Sequence, residues 1–316
     1  MGRFLDLMQN LDRRIIYLVI GVLLVVVLLL GKSETGVVLE PTQKFFDSVQ
    51  AADTSPQSHK IIVVGVTFAA NTLAENGNQM RALVRHLMLT HKRFAVVAVG
   101  EPQGAAQGPR IVKDLAAQYG YTYGTDWIDF GYQLPSLGFY KLYTKDIPNA
   151  IKEDGQLKKP IASFPIMDGI KTVSDNVAMH VEITASSSVF DWIQYVQNAT
   201  HLKIGYACTG VMASEAYPLL DSGQISGLMA GLKGAADYEQ LTDSLEQAQV
   251  QAGTRKAMYD PKATPSLQLP QPARMLMFTQ SAAHLAIIIF IILGNVGLLL
   301  STRLARKNGK ESSAHD

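Results

Sequence analysis

Residues 59–68 read HKIIVVGVTF, an aliphatic, mostly β-branched run that stops at the turn Ala69–Ala70–Asn71. Because both alternating sets of positions are apolar, both faces of such a strand must be covered, as in the interior of a parallel, helix-flanked sheet. Downstream, Gln79–His91 carries Met80, Leu83, Val84, Leu87 and Met88 on one helical stripe, and FAVVAV at 94–99 is a second buried strand. A Gly/Pro/Gln loop at 100–108 leads to a helix expected from Pro109 to Tyr119, its proline in the first turn. Tyr121–Phe130 reads as a third strand, and 131–174 as loops with short helices. AMHVEIT at 178–184 and Leu202–Tyr206 read as further strands, with helices over Val189–Asn198, Ser214–Leu220 and Ser222–Gln249. The alternation predicts an α/β domain over 59–249, doubly wound, with a mostly parallel sheet.

Outside that domain lie two charge-free apolar runs, 15–31 and 275–300. Each meets the length and charge criteria for a membrane-spanning helix of roughly 20 residues. The 316 residues are 47% hydrophobic but only 17% charged, short of the roughly 25% usual for soluble domains. A wholly soluble protein is excluded on these grounds, and the want of a third run weighs against a multi-span channel or transporter. GKSETG after Leu30 lacks a small-x-small cleavage pattern, which favours an uncleaved anchor over a signal peptide. Arg3, Arg13 and Arg14 precede the first run, and Arg303, Arg306, Lys307 and Lys310 follow the second. The positive-inside rule puts both termini in the cytoplasm and the domain outside it, at the cell (inner) membrane. Residues 1–14 read as an interfacial helix or an extension of the first span, 32–58 as a stalk, 250–274 as a Pro-rich spacer and 301–316 as a cytoplasmic tail. A net charge of +1 leaves no basic track for nucleic acid, so lipid and other membrane proteins, or further copies of the chain, are the expected partners.

Asp221–Gln240 reads DSGQISGLMAGLKGAADYEQ, with Gly223, Gly227, Gly231 and Ala235 at intervals of four. On one helix these would form a ridge poor in side chains, suited to close packing on the domain's own sheet or on a partner. Asn295, between Gly294 and Gly297, offers a second small, polar contact face within the last apolar run.

The stretch PLLDSGQISGLMAGLKGAADYEQL, with FPIMDGI and YGTDWIDFGY upstream, resembles an uncharacterised family of bacterial envelope proteins with two terminal anchors around an α/β domain. The resemblance implies architecture and compartment and carries over no catalytic residue.

Cys208 follows the strand Leu202–Tyr206, where open α/β sheets place ligands, and His180 and His201 are the candidate bases for it. The bland alternative is a small buried thiol. Asp129 heads a group of acids near expected strand ends, with Asp126, Asp168, Glu182, Glu215 and Asp221. Their spacing matches no metal loop, there is no Walker loop, GxSxG or HExxH, and neither metal nor cofactor is expected. A non-enzymatic component of a membrane assembly is therefore the leading expectation. A tethered ligand-binding domain comes next, and an envelope hydrolase using the strand-end cleft third.

Overall fold

The computed structural model describes residues 13–30, 36–256 and 272–312, and the expectations for 1–12, 31–35, 257–271 and 313–316 lie outside the described residues. Six strands form one all-parallel sheet: β1 (Ile61–Thr67), β2 (Phe94–Val99), β3 (Trp127–Gln133), β4 (Val177–Thr184), β5 (Ile204–Cys208) and β6 (Gly227–Ala230). Their order is β3-β2-β1-β4-β5-β6, the doubly wound, Rossmann-like arrangement in which the direction of winding reverses between β1 and β4. Every residue of β1 and β2 is buried, as the apolar runs require.

The longer helices among the described residues, in chain order, are α1 (Arg13–Leu29), α2 (Glu40–Ala51), α3 (Asn78–Leu89), α4 (Pro102–Tyr119), α5 (Leu137–Lys145), α6 (Ala213–Asp221), α7 (Gly231–Gln251) and α8 (Pro272–Ser312). One face of the sheet packs against α2, α3, α4 and α7, through residues such as Phe45, Leu83, Val112 and Tyr238. The other packs against α5, α6 and a helical segment at 188–200, through Tyr140, Trp192 and Leu219.

Four expectations need correction. Residues 36–58 are no stalk: α2 lies on β6, with Phe45 and Val49 wholly buried. The helix expected from Pro109 starts at Pro102, which takes the first-turn place, and Pro109 is interior. Gly104 makes that early start workable, because a Cβ there would lie 2.0 Å from the Val66 carbonyl oxygen. The third strand runs later than expected, over Trp127–Gln133.

Most consequentially, 222–249 is not one helix: Gly227–Ala230 is β6, and α7 begins only at Gly231. The glycine ridge therefore does not exist. Gly223 occupies a turn at φ +73°, Gly227 lets the Phe45 backbone lie on β6, Gly231 at φ +59° turns the chain into α7, and Ala235 is buried on α7. The fourfold spacing mixes turn, strand and helix, and each small residue answers a separate local crowding.

Both described ends of the domain dock on α7. On one flank the Gly36 N–H donates to Gln240 Oε1 (3.2 Å), the Leu39 N–H to Asp237 Oδ2 (3.1 Å) and Lys233 Nζ to the Val37 carbonyl (3.0 Å). On the other, Glu239 accepts the backbone N–H groups of Ala273 (3.1 Å) and Arg274 (3.0 Å), capping the start of α8. Arg274 Nη1 reaches Asp243 (2.8 Å), which also pairs with Arg85 (2.8 Å), and Arg85 pairs in turn with Glu246 (2.7 Å). Burial pushes the Glu239 carboxyl up to about 8, against the pull of its two amide donors. Residues 272–274, expected as the end of a spacer, are thus seated in the domain.

Pro272–Leu300, within α8, is long and apolar enough to cross a membrane. At 17 residues α1 rises about 25 Å, short of the roughly 30 Å of a hydrocarbon core. Two spans are therefore not established among the described residues.

His86, on α3, is wholly buried and stacks on Phe46 at 4.0 Å, with Nδ1 2.7 Å from Tyr238 Oη and Nε2 2.7 Å from Gln50 Oε1. Burial, helped by Lys92, pulls its pKa from 6.5 down to about 3. Above pH 6.5 neither state holds the proton; as pH falls below that, the unfolded chain takes it up first and the fold loses stability. From pH 6.5 to 5 this contribution amounts to about 2 kcal/mol. Chemical denaturation at pH 7 and pH 5 should show a smaller acid loss for His86→Gln than for the unaltered protein. Equal losses would remove His86 as the cause.

Candidate functional site

The reversal between β1 and β4 is where a doubly wound sheet opens a crevice at its carboxyl edge. Alternation along β4 turns His180, Glu182 and Thr184 to the same face, and all three are buried. Glu182 lies in register with Gly65 on β1 and Tyr206 on β5. Only glycine leaves room for it: a Cβ on residue 65 would sit 1.8 Å from Glu182 Oε2.

A carboxylate taken from water must find donors, and Glu182 has three. Thr67 Oγ1 (2.7 Å) and Ser188 Oγ (2.6 Å) converge on Oε1, and His180 Nε2 lies 2.9 Å from Oε2. The Trp192 ring covers His180, with ring centres 3.9 Å apart. Thr184 Oγ1 ties the same cluster to the Thr67 carbonyl (3.1 Å) and accepts the Ser186 N–H (2.8 Å). Half-buried Ser188 and exposed Ser186 carry these hydroxyls out to solvent.

At its first turn the crevice lacks a glycine-rich phosphate cradle. Its first strand-to-helix turn, Ala69–Thr72, has no glycine, and the Ala70 N–H already donates to Gln103 Oε1 (3.1 Å). At the start of α4 the Glu101 carboxylate accepts the Gln103 N–H (2.9 Å), occupying a position suited to a bound anion. Open grooves lie elsewhere. One of about 280 Å³ at the amino ends of β1, β4 and β5 is lined by Asp53, Lys60, His201 and Lys203. Another of about 300 Å³ between α3 and α4 is lined by Arg81, Arg110 and Asp114.

No family model, curated protein or solved structure matches this chain.

Cys208 ends β5 wholly buried, and burial together with the nearby Glu75 pushes its thiol up to about 12. Neither candidate base serves it. His180 pairs in register with Ile204, four residues and about 13 Å along the sheet from Cys208, and it is engaged by Glu182. His201 precedes β5, at the opposite end of that strand. The expected nucleophile–base pair is not assembled, because strand direction separates its members.

Asp129, on β3, is buried. It accepts the Gly131 N–H (2.8 Å) and an amide N–H of Gln156, and burial raises its pKa. Asp154 nearby is held low by the N–H groups of Leu157, Lys159 and Gln156 and by the Tyr123 hydroxyl. These two acids brace a loop. Among the described residues no three His, Cys, Asp or Glu side chains gather as a metal site would need. Asn295 donates to the Ile291 carbonyl of its own helix (2.8 Å).

Glu182 was visible in sequence only as one acid among several. The sharper signals were a glycine inside the IIVVGVT run and the polar every-other pattern His180, Glu182, Thr184 inside a buried strand. Read together they mark a carboxylate lying over a glycine.

Proposed function

We propose that the chain is a membrane-held binding component, its α/β domain lying outside the cytoplasm between two anchors and contacting protein partners in a larger assembly. The observation that carries this is the carboxyl edge of the sheet. Its interior is filled by Glu182 and its donors, while the segments that follow its strands, loop and helix alike, expose large apolar side chains. Leu134 (70% exposed) and Leu137 follow β3, Phe190 follows β4, and Val211 (89% exposed) and Tyr217 follow β5. Large apolar side chains left exposed after three strands of one sheet edge support a protein contact surface there. The docking of residues 36–39 and 273–274 on the same helix is in keeping with two neighbouring anchors.

Gentle detergent extraction followed by native mass measurement tests the proposal. The expected species is a defined complex well above the 34.4 kDa chain, lost in Leu134→Asp and Val211→Asp while the domain's melting stays unchanged. A folded monomer in the unaltered protein would overturn it. That outcome would favour the second reading, ligand binding at the β1/β4 crevice, which rests on the strand order and the Thr184, Ser186 and Ser188 hydroxyls.

A further inference from the structure

We propose that Glu239, Asp243 and Arg85 form an intramolecular receptor for the first turn of α8, and that seating Ala273 and Arg274 in it passes changes in the apolar helix to the α/β domain. The receptor has two parts with different chemistry. Glu239 spends both carboxyl oxygens on the N–H groups of Ala273 and Arg274, donors that a helix start leaves free. Asp243 divides its oxygens between two guanidiniums, Oδ1 to Arg85 and Oδ2 to Arg274. Glu239, Asp243, Arg85 and Arg274 are all buried.

Buried ion networks of this kind contribute little net stability, and their best-attested use is to define register. Here that register is strict. Advancing α8 by one residue shifts its start by about 1.5 Å and rotates it by about 100°. Such a step would draw the two N–H groups off Glu239 and Arg274 off Asp243 together. Two buried carboxyl groups would then be left short of partners, so the receptor is either filled or empty.

The element that carries the receptor also reaches the strand ends. Gln79 Nε2 lies within hydrogen-bond distance of the carbonyls of Cys208 (2.8 Å), Met229 (3.1 Å) and Gly231 (3.2 Å), fastening the start of α7 to the ends of β5 and β6. From Gly231 to Glu239 is about 12 Å along the helix. The inference uses contacts inside the domain only and does not depend on the partner-binding proposal.

Hydrogen exchange read by mass spectrometry, on the full chain in detergent micelles, tests it. In the unaltered protein the amides of Ala273 and Arg274 should exchange slowly. Arg274→Ala should speed exchange at 273–274 and across 239–246 by about tenfold or more, leaving β1 and β4 unchanged, and Arg274→Lys should restore part of the protection. Unchanged exchange across 239–246 in Arg274→Ala would overturn the coupling. Equal acceleration in β1 and β4 would overturn it too, since the network would then be ordinary core. Should Arg274→Ala fail to fold, Glu239→Gln, of nearly the same shape, is read by the same criteria.

Discussion

Valine at position 227 is expected to unfold the α/β domain. Gly227 opens β6 at the sheet edge, and α2 lies so close that a Cβ there would stand 2.2 Å from the Phe45 Cα and 2.3 Å from its backbone nitrogen. Backbone cannot yield as a side-chain tip can, so α2 must lift. That withdraws Phe45 and Val49 from the core and strains the Thr42 and Ser48 hydroxyl bonds to the Leu228 and Ser226 carbonyls. The cost should exceed about 4 kcal/mol, comparable with the roughly 5–15 kcal/mol that holds most domains together. Gly223 supplies the contrast. Nothing lies within 4 Å of its missing Cβ, and only its φ of +73° resists substitution, so Gly223→Ala should cost about 1 kcal/mol. Thermal unfolding followed by circular dichroism separates the two. A folded Gly227→Val domain that merely loses a partner would restore the helical ridge and contradict β6.

Alanine at position 65 should cost about 3–5 kcal/mol, because its methyl group must evict the Glu182 carboxylate from the donors that stabilise it. The same contact predicts a rescue. Glu182→Ala removes the obstacle as well as the charge, so Gly65→Ala added to Glu182→Ala should cost little more than Glu182→Ala alone. The coupling between the two substitutions should be at least about 2 kcal/mol. Urea denaturation of both single variants and the double variant measures it. Additive losses would mean that the carboxylate is not held over Gly65.

Much of the sheet was legible because burial on both faces writes itself into a strand as an unbroken apolar run. β1, β2 and β5 follow from that, and β4 does too once its polar alternation is allowed for. β6 was hidden because four residues set among glycines at helical spacing carry no period of their own. The start of α4 was hidden for a related reason: GEPQGAAQG has loop composition, and Gly104 and Gly108 serve contacts with Val66 that only the folded sheet creates. Cys208 showed the limit of reasoning from strand ends, since position alone says nothing of exposure. The network of Arg85, Asp243, Glu246 and Arg274 joins three segments far apart in the chain, and no local pattern announces it.

Residues 36–39 and 273–274 bond to the same stretch of α7, between Lys233 and Asp243 and about 15 Å long, so both described ends of the domain lie beside one helix. A fold with its doorway in one place can be set into the turn between two helices of another protein without prising them apart. Grafted as 36–274 into a helical hairpin of a host, it should behave as a portable insert, with its host's helices keeping their spacing.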